Sequence, residues 1–169
     1  MHEASSIELV SGDWEQLGPD AARIRDAVFV REQGIPAELE WDEEDASSVH
    51  VVAYRTAPVR EPVATARLLA GGWIGRVAVV KSARRGGLGR LLVEGLVKVA
   101  KERGEPMARL YAQTYAMPFY ETCGFTAVGE PFEEAGIPHI EMIRTLSDNT
   151  LSDAPAPSTG QPQASLGNT

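Results

Sequence analysis

A glycine-rich, basic segment is the part of this chain whose residue types point most directly to ligand binding. It has the pattern Arg-x-x-Gly-x-Gly at residues 84–89, and Arg85 and Arg90 add positive charge. A helix that begins here would present its first backbone N–H groups, which have no partner inside the helix, to an anion. Glycine removes the side chains that would keep a phosphate away from that backbone. The segment therefore predicts a site for a pyrophosphate group.

Two other kinds of phosphate loop do not fit these residues. The Walker A pattern, Gly-x-x-x-x-Gly-Lys followed by Ser or Thr, is absent from the sequence. The dinucleotide fingerprint requires differently spaced glycines, early in a series of parallel strand–helix–strand units. A Gly-Gly turn flanked by solvated arginines remains the alternative explanation for residues 84–90.

The elements that would position this segment lie on either side of it. Residues 87–103 are predicted to form a helix, which Gly104 ends. One face of that helix is apolar and consists of Leu88, Leu91, Leu92, Leu96, Val99 and Ala100. A predicted strand at 73–80 precedes the helix and another at 108–112 follows it. Two strands of one sheet that are joined through a helix are parallel, so this unit predicts a parallel crossover.

The remaining patterns predict a mixed α/β sheet flanked by helices. Three strands, at 50–55, 63–69 and 73–80, are separated by short turns and are expected to pair antiparallel. The other predicted elements are a strand at 7–10, a helix at 19–32 with Pro19 in its first turn, a loop at 34–48, a short helix at 116–122, and strands at 125–128 and 139–145.

Composition excludes several classes of protein. The chain has 169 residues, a formal net charge of −8 and 43% hydrophobic residues, values typical of one folded domain, which we expect over residues 1–146. An acidic surface would repel nucleic acid, and no apolar run is long enough to cross a membrane. The single cysteine, Cys123, allows no intrachain disulfide, so a cytoplasmic location is expected. Residues 147–169, rich in Ser, Pro and Gln, are predicted to be a disordered tail.

Separated motifs give the chain a resemblance to a known family. The loop at 84–89 resembles the acyl-CoA-binding motif of the GCN5-related N-acetyltransferases (GNAT). Residues 116–125 resemble that family's Ala-x-x-Phe-Tyr-x-x-x-Gly-Phe segment. Residues 28–33 and 129–142 are similar to segments of its small bacterial members of the ElaA and YjcF types. The acidic loop that ends at Asp45, and His50, also resemble those members. The likeness extends over about residues 7–146.

The resemblance implies a fold and a cosubstrate. The fold would be a mixed, mostly antiparallel sheet of six to seven strands, with a central pair of splayed parallel strands and about four flanking helices. Acetyl-CoA would enter the gap between those two strands, and an amine would be the acceptor; no metal is implied, and a homodimer is common in this fold. The residues implied for binding CoA are Val77, Ala78, Val79, Arg84, Arg85, Gly86, Gly87, Leu88, Gly89 and Arg90.

Each part of this set has an implied role. The strand at 77–79 would pair with the pantetheine arm, and backbone amides from Arg85 to Arg90 would hold the pyrophosphate. Arg84 or Arg85 would reach the adenosine 3′-phosphate, the alternative being a solvated surface charge.

Catalysis, according to the resemblance, is direct attack of the amine on the thioester. Tyr120 would protonate the leaving thiolate, since a phenol with a pKa near 10 is protonated at neutral pH. A backbone N–H near Val79 would stabilise the developing oxygen charge. The base is less well specified, and four residues are candidates: Glu32, His139, Glu133 and Glu141. Tyr111 stands where related sequences often have Asn, and is expected to alter contacts with the acceptor.

Several hypotheses stay open at this point. The acidic run at 38–45 either attracts a cationic acceptor or is a solvated loop. A CoA-binding regulatory module that has lost catalysis is the alternative to an enzyme, and acyl-homoserine-lactone synthase-like chemistry is a third hypothesis. Cys123 is expected to be a small helix residue and not a nucleophile.

Overall fold

Residues 6–146 are described in the structure, a computed structural model. The strands are β1 (Ile7–Gly12), β2 (Val49–Arg55), β3 (Glu61–Leu69), β4 (Trp73–Val79), β5 (Met107–Gln113), β6 (Thr126–Glu134) and β7 (Ile137–Thr145). The α-helices are α1 (Trp14–Arg25), α2 (Ala37–Glu40), α3 (Leu88–Glu102) and α4 (Met117–Thr122). A π-helical stretch, Asp26–Glu32, continues α1. Single 3-10 turns lie at Glu43–Ser47, Lys81–Ala83 and Thr114–Ala116.

The seven strands form one mixed sheet in the order β1-β2-β3-β4-β5-β7-β6. Neighbours pair antiparallel except β4 and β5, which are parallel, as the predicted crossover through a helix requires. These two strands pair only where Trp73 lies opposite Arg109. Beyond that pair they separate, so the predicted splay of the central strands is confirmed, as is the predicted fold class.

Helix α3 covers one face of the sheet. Leu92 and Leu96 of its apolar stripe are fully buried against the strands, and burying a leucine side chain contributes about 1.5–3 kcal/mol. Leu91, which the sequence placed on the same stripe, is instead 43% exposed. Gly87, which precedes the helix, has φ 82°, a left-handed conformation that glycine adopts at little cost. The predicted helix is therefore correct to within one residue at each end, and its first turn faces the C-terminal end of β4.

Helix α1 covers the other face and begins earlier than predicted. The sequence prediction placed its first turn at Pro19, but the helix starts at Trp14, where the Asp13 side chain accepts a hydrogen bond from the Gln16 N–H (2.9 Å). That prediction was wrong because the Asp13 cap sets the start. Pro19 then lies inside the helix, where its missing N–H costs one internal hydrogen bond.

Three further expectations concern the segment at 34–48, the C-terminal tail and membrane-spanning helices. The stretch predicted as a loop at 34–48 contains α2 and the 3-10 turn at 43–47, so it is more ordered than expected. The tail predicted at 147–169 lies outside the described residues. Within residues 6–146, no helix combines the length and the apolar character needed to span a bilayer.

Candidate functional site

The glycine-rich loop joins β4 to α3 and forms an open cradle. Arg85 and Gly87 both have positive φ values, 73° and 82°, which turn the chain sharply into the helix. Within α3, the first internal bond at this end runs from the Leu91 N–H to the Gly87 carbonyl (3.1 Å). The N–H groups of residues 88–90 precede that bond and have no carbonyl partner within the helix. The amides at the start of α3 therefore remain available for hydrogen bonds from outside the helix, and anion binding there stays a prediction.

A cleft of about 340 Å³ opens over this loop. Helix α4 forms its opposite wall, through Phe119 and Thr122. The remaining lining residues are Val79, Ala83, Arg84, Arg85, Gly87, Leu88, Gly89 and Arg90. The cleft thus brings together seven of the ten residues that the sequence nominated for CoA binding; Val77, Ala78 and Gly86 do not line it.

Arg84 connects the loop to the π-helical stretch after α1. Its Nη1 and Nη2 atoms donate to the two carboxylate oxygens of Glu32, both at 2.7 Å, and its Nε donates to the Val79 carbonyl (2.9 Å). The hydrogen bond from Arg84, reinforced by its charge, lowers the pKa of Glu32 below the ordinary value of a glutamate. A carboxylate held in this way is a weak proton acceptor, which argues against Glu32 as the base.

The gap between β4 and β5 exposes backbone groups of β4. The Val80 N–H donates to the Val63 carbonyl on β3 (2.9 Å). Hydrogen-bonding groups of successive residues in a strand point to opposite sides, so the N–H and C=O of Val79 point away from β3 and toward the gap. The bond from Arg84 to the Val79 carbonyl agrees with this direction.

Tyr120 lies on α4 with its ring almost fully buried. The ring makes edge-on contacts with Phe119 and Phe125, at centroid distances of 5.0 and 6.2 Å. Burial raises the pKa of its phenol well above the ordinary value, so the group keeps its proton at neutral pH. The side chain can therefore act as a hydrogen-bond donor, as its sequence context predicted.

His139 is fully buried on β7, directly opposite Gln113 at the end of β5. Its Nδ1 atom is 2.7 Å from the Ile137 carbonyl. A carbonyl can only accept, so Nδ1 carries the hydrogen and, in the neutral ring, Nε2 carries the lone pair. Nε2 is buried and has no hydrogen-bond partner among residues 6–146. With the neutral ring, this geometry leaves Nε2 as a buried hydrogen-bond acceptor beside the end of β5.

The remaining base candidates are less well placed. Glu141 accepts a hydrogen bond from Arg109 (3.2 Å). Glu133 is exposed and pairs with Pro138, so it points to the opposite face of the sheet from His139. The four candidates for the base thus lie in different environments.

A row of aromatic rings was missed by the sequence analysis. Trp73, Tyr111 and Phe132 follow one another at centroid distances of 4.8 and 5.3 Å, and the ring of Phe132 stacks on His139 at 5.9 Å. These residues come from four strands, so no local pattern could have revealed the row. It places Tyr111, flagged for its unusual residue type, on the same face as His139.

The acidic run is solvated only in part. Three of its carboxylates, Glu40 and Asp45, which are buried, and Asp42, which is partly buried, pair with arginines. The pairs are Glu40 with Arg25, Asp45 with Arg25 and Arg67, and Asp42 with Arg67 and Arg76. Burial opposes ionisation of Asp42 and Asp45, but hydrogen bonds and charges from the arginines outweigh it and hold the pKa of each below its ordinary value. The exposed members include Glu38 and Glu43.

Cys123 is buried and follows α4. Burial raises the pKa of its thiol, which disfavours the thiolate that a nucleophile would need. The sequence placed it within the helix, whereas Cys123 directly follows the last residue of α4.

Comparisons with known proteins agree with this geometry. A family model described as an acetyltransferase (GNAT) domain matches residues 15–146. The Bacillus subtilis protein named as the uncharacterized N-acetyltransferase YjcF is 39% identical over 140 residues, which cover 80% of this chain and 97% of that protein.

Two solved structures extend the likeness to three dimensions. An acyl-CoA N-acyltransferase from Pseudomonas aeruginosa is 31% identical, with a TM-score of 0.71, over 83% of this chain and 100% of that chain. Escherichia coli ElaA is 29% identical, with a TM-score of 0.72, over 82% of this chain and 99% of that chain.

Proposed function

The chain belongs to the acetyltransferase (GNAT) family, and from that premise we propose that it transfers an acetyl group from acetyl-CoA to a primary amine. The amine attacks directly, within a complex that contains both substrates. The observation that carries the proposal is the position of the glycine-rich loop at the mouth of the gap between β4 and β5. Acetyl-CoA and the amine are the small-molecule partners of a cytoplasmic enzyme.

The residues around the gap fit the chemistry of CoA. The first N–H groups of α3, with Arg85 and Arg90 beside them, suit a pyrophosphate. The N–H and C=O of Val79 suit the amide groups of a pantetheine arm that runs along β4. For this strand edge to bind the arm, Arg84 must release the Val79 carbonyl. If it also leaves Glu32, its guanidinium is available to a phosphate oxygen.

We assign the base role to His139. Its Nε2 lone pair can take the proton that an amine must lose, either directly or through a water molecule. Glu32 and Glu141 are engaged by arginines, which supports His139 over both of them.

Two donors then act on the reacting thioester. The Val79 N–H, directed into the gap, donates to the carbonyl oxygen as negative charge develops there. The phenol of Tyr120 donates to the sulfur and supplies the proton of the leaving thiol. Burial raises the pKa of this phenol, so it holds its proton at neutral pH and can donate a hydrogen bond to the sulfur.

Thermal shift and thiol release test the proposal together. Acetyl-CoA and CoA should raise the melting temperature with concentration, because they bind the folded state, and dephospho-CoA should raise it less. Thiol release over a panel of primary amines should follow in the same protein. Binding without turnover would support the regulatory-module alternative, and no shift with any of the three ligands would reject the CoA assignment.

Two substitutions test the assigned roles. Tyr120→Phe and His139→Gln should each lower kcat about 100-fold or more, the range typical of lost acid–base catalysis, with little change in CoA affinity. Tyr54→Phe is the matched tyrosine control, since its hydroxyl donates to Asp20 (2.6 Å) on α1. Unchanged kcat in either test variant would remove that residue from the mechanism.

A further inference from the structure

Arg76 has an unusual backbone conformation at the point where β4 leaves β5. Its φ is 51°, in the left-handed region that an arginine within a strand rarely adopts. On β3, Arg67 lies opposite Gly75 and Thr65 lies opposite Ala78, so one residue of β3 faces both Arg76 and Val77. This is a β-bulge, which bends its strand. It lies three residues after Trp73, the last point of contact between the two strands.

The side chain of Arg76 is anchored to the acidic loop. It is 2% exposed, and its Nε and Nη2 atoms donate to the Glu40 carbonyl at 3.1 and 2.6 Å. Nη2 also lies 3.1 Å from Asp42 Oδ2. These contacts run from the bulge to a different element and fix the direction in which the Arg76 side chain leaves the strand.

The anchor is itself held in place. Arg67 donates to both carboxylate oxygens of Asp42, at 2.7 and 2.9 Å, and Arg25 binds the carboxylates of Glu40 and Asp45. Because these arginines belong to β3 and α1, the loop is attached to two elements other than β4. It can therefore resist relaxation of the bulge.

The need to neutralise nearby carboxylates does not by itself explain why residue 76 is an arginine. Burial, together with the charges of Arg67 and Arg25, lowers the pKa of its guanidinium to about 10. The site is thus a poor one for a third cation, although Asp42 and Glu40 compensate in part. The fixed geometry of the guanidinium fork is a better explanation for this residue type.

We propose that Arg76 is a positioning residue: anchored on the acidic loop, it maintains the bulge that separates β4 from β5 and directs the backbone of residues 77–79 into the gap. The functional part of this proposal rests on the proposed acetyl transfer. The acidic loop then acts on the reaction through Arg76, without touching either substrate.

Hydrogen exchange tests the structural part without any substrate. Arg76→Gly keeps the left-handed backbone accessible but removes the anchor, so amides of residues 73–80 should exchange at least about tenfold faster while those of α3 change little. Leu17→Ala, a buried apolar change on α1, is the control for general loss of stability and should not single out β4. If the glycine variant does not fold, Arg76→Lys replaces it in the experiment. Lysine keeps the positive charge but lacks the planar guanidinium, so amides of residues 73–80 should again exchange faster.

Binding tests the functional part. Adenosine 3′-phosphate 5′-diphosphate can occupy the loop but has no pantetheine arm, so Arg76→Gly should leave its Kd within about twofold. The excess affinity of CoA over this fragment should fall at least about fivefold, and kcat should fall about 10- to 100-fold, because small displacements of reacting groups are costly. Asp42→Asn should produce part of each effect.

Different results would contradict the positioning role of Arg76 and the proposed acetyl transfer. If β4 exchange and the ratio of CoA to fragment affinity are unchanged in Arg76→Gly, or if Leu17→Ala changes them equally, the positioning role is wrong. If the unaltered protein binds neither CoA nor the fragment, the proposed function is wrong, and the exchange experiment still decides whether Arg76 maintains the bulge.

Discussion

Two charged loops of this molecule use their charges in opposite ways. The basic loop at 84–90 leaves helix-start amides and two arginines, Arg85 and Arg90, lining an open cleft. The acidic loop at 37–47 turns three carboxylates inward onto arginines of α1, β3 and β4. One loop leaves its charge on the wall of an open cleft, whereas the other uses its charge to hold strands and helices together.

Burial accounts for the difference. A charge removed from water needs a partner, and the three inward arginines meet that need at fixed distances. An exposed charge next to free amides can instead exchange water for a ligand at little cost. Charge density along a sequence is therefore a weak guide to ligand binding unless the partners of each charge are known.

The largest expected effect is loss of CoA binding from the basic loop. In the double variant Gly87→Glu, Gly89→Glu, a carboxylate about 5 Å from a phosphate would oppose binding by roughly 3 kcal/mol, about a hundredfold in Kd. A Cβ at residue 89 would also meet Phe119 Cζ at 3.1 Å. Calorimetric titration with CoA measures the effect. Gly95→Glu, on the same helix with open space around its Cβ, is the control and should bind normally.

Substitutions in the acidic loop should instead lower the free energy of unfolding. Asp45→Asn leaves buried positive charge on Arg25 and Arg67 without full compensation, which typically costs about 4 kcal/mol. Urea unfolding measures this loss. Glu43→Gln, on an exposed neighbour, should change the free energy of unfolding by less than about 0.5 kcal/mol. Equal effects from both changes would show that the acidic loop is solvated after all.

Acid should destabilise the protein through the same cluster. Burial lowers the pKa of His50, so below about pH 6.5 the unfolded chain binds a proton that the folded protein resists, and stability falls. Asp42 and Asp45 have a folded-state pKa below the ordinary value, so their contribution is present above about pH 4 and is lost as pH falls further. Urea unfolding between pH 7 and pH 3 should show both steps, with the second reduced in Asp45→Asn. A flat profile in the parent would contradict the buried cluster.

The smallest effect is expected at the ion pair between Arg84 of the basic loop and Glu32. Glu32→Gln weakens a partly exposed ion pair, so the free energy of unfolding should change by no more than about 1 kcal/mol. Arg84 is then freer to leave the Val79 carbonyl, and CoA affinity should rise about two- to fivefold. Asp26→Asn breaks an exposed pair with Arg31 on the same helical segment and should leave affinity unchanged. A loss of affinity in Glu32→Gln would instead make Glu32 part of the binding site.

Local signals in the sequence were sufficient for part of this architecture. The apolar stripe of α3, the glycine at its start and the strands on either side of it depend on residues within a few positions of one another. From these elements we predicted the parallel crossover and an anion-binding site. Together with the other motifs, they indicated the family.

Tertiary structure decided which charges serve a ligand and which serve the fold. Arg25, Arg67 and Arg76 lie far apart in sequence from the carboxylates they pair with, and only strand register and helix packing bring them together. The bulge at Arg76 and the lone pair on His139 Nε2 likewise depend on contacts between elements or across a turn. Sequence determined approximately where α3, the strands and the glycine-rich loop form, because those depend on neighbouring residues, but it misplaced the start of α1 and missed α2. The partners of buried polar groups were decided only when distant segments packed and excluded water.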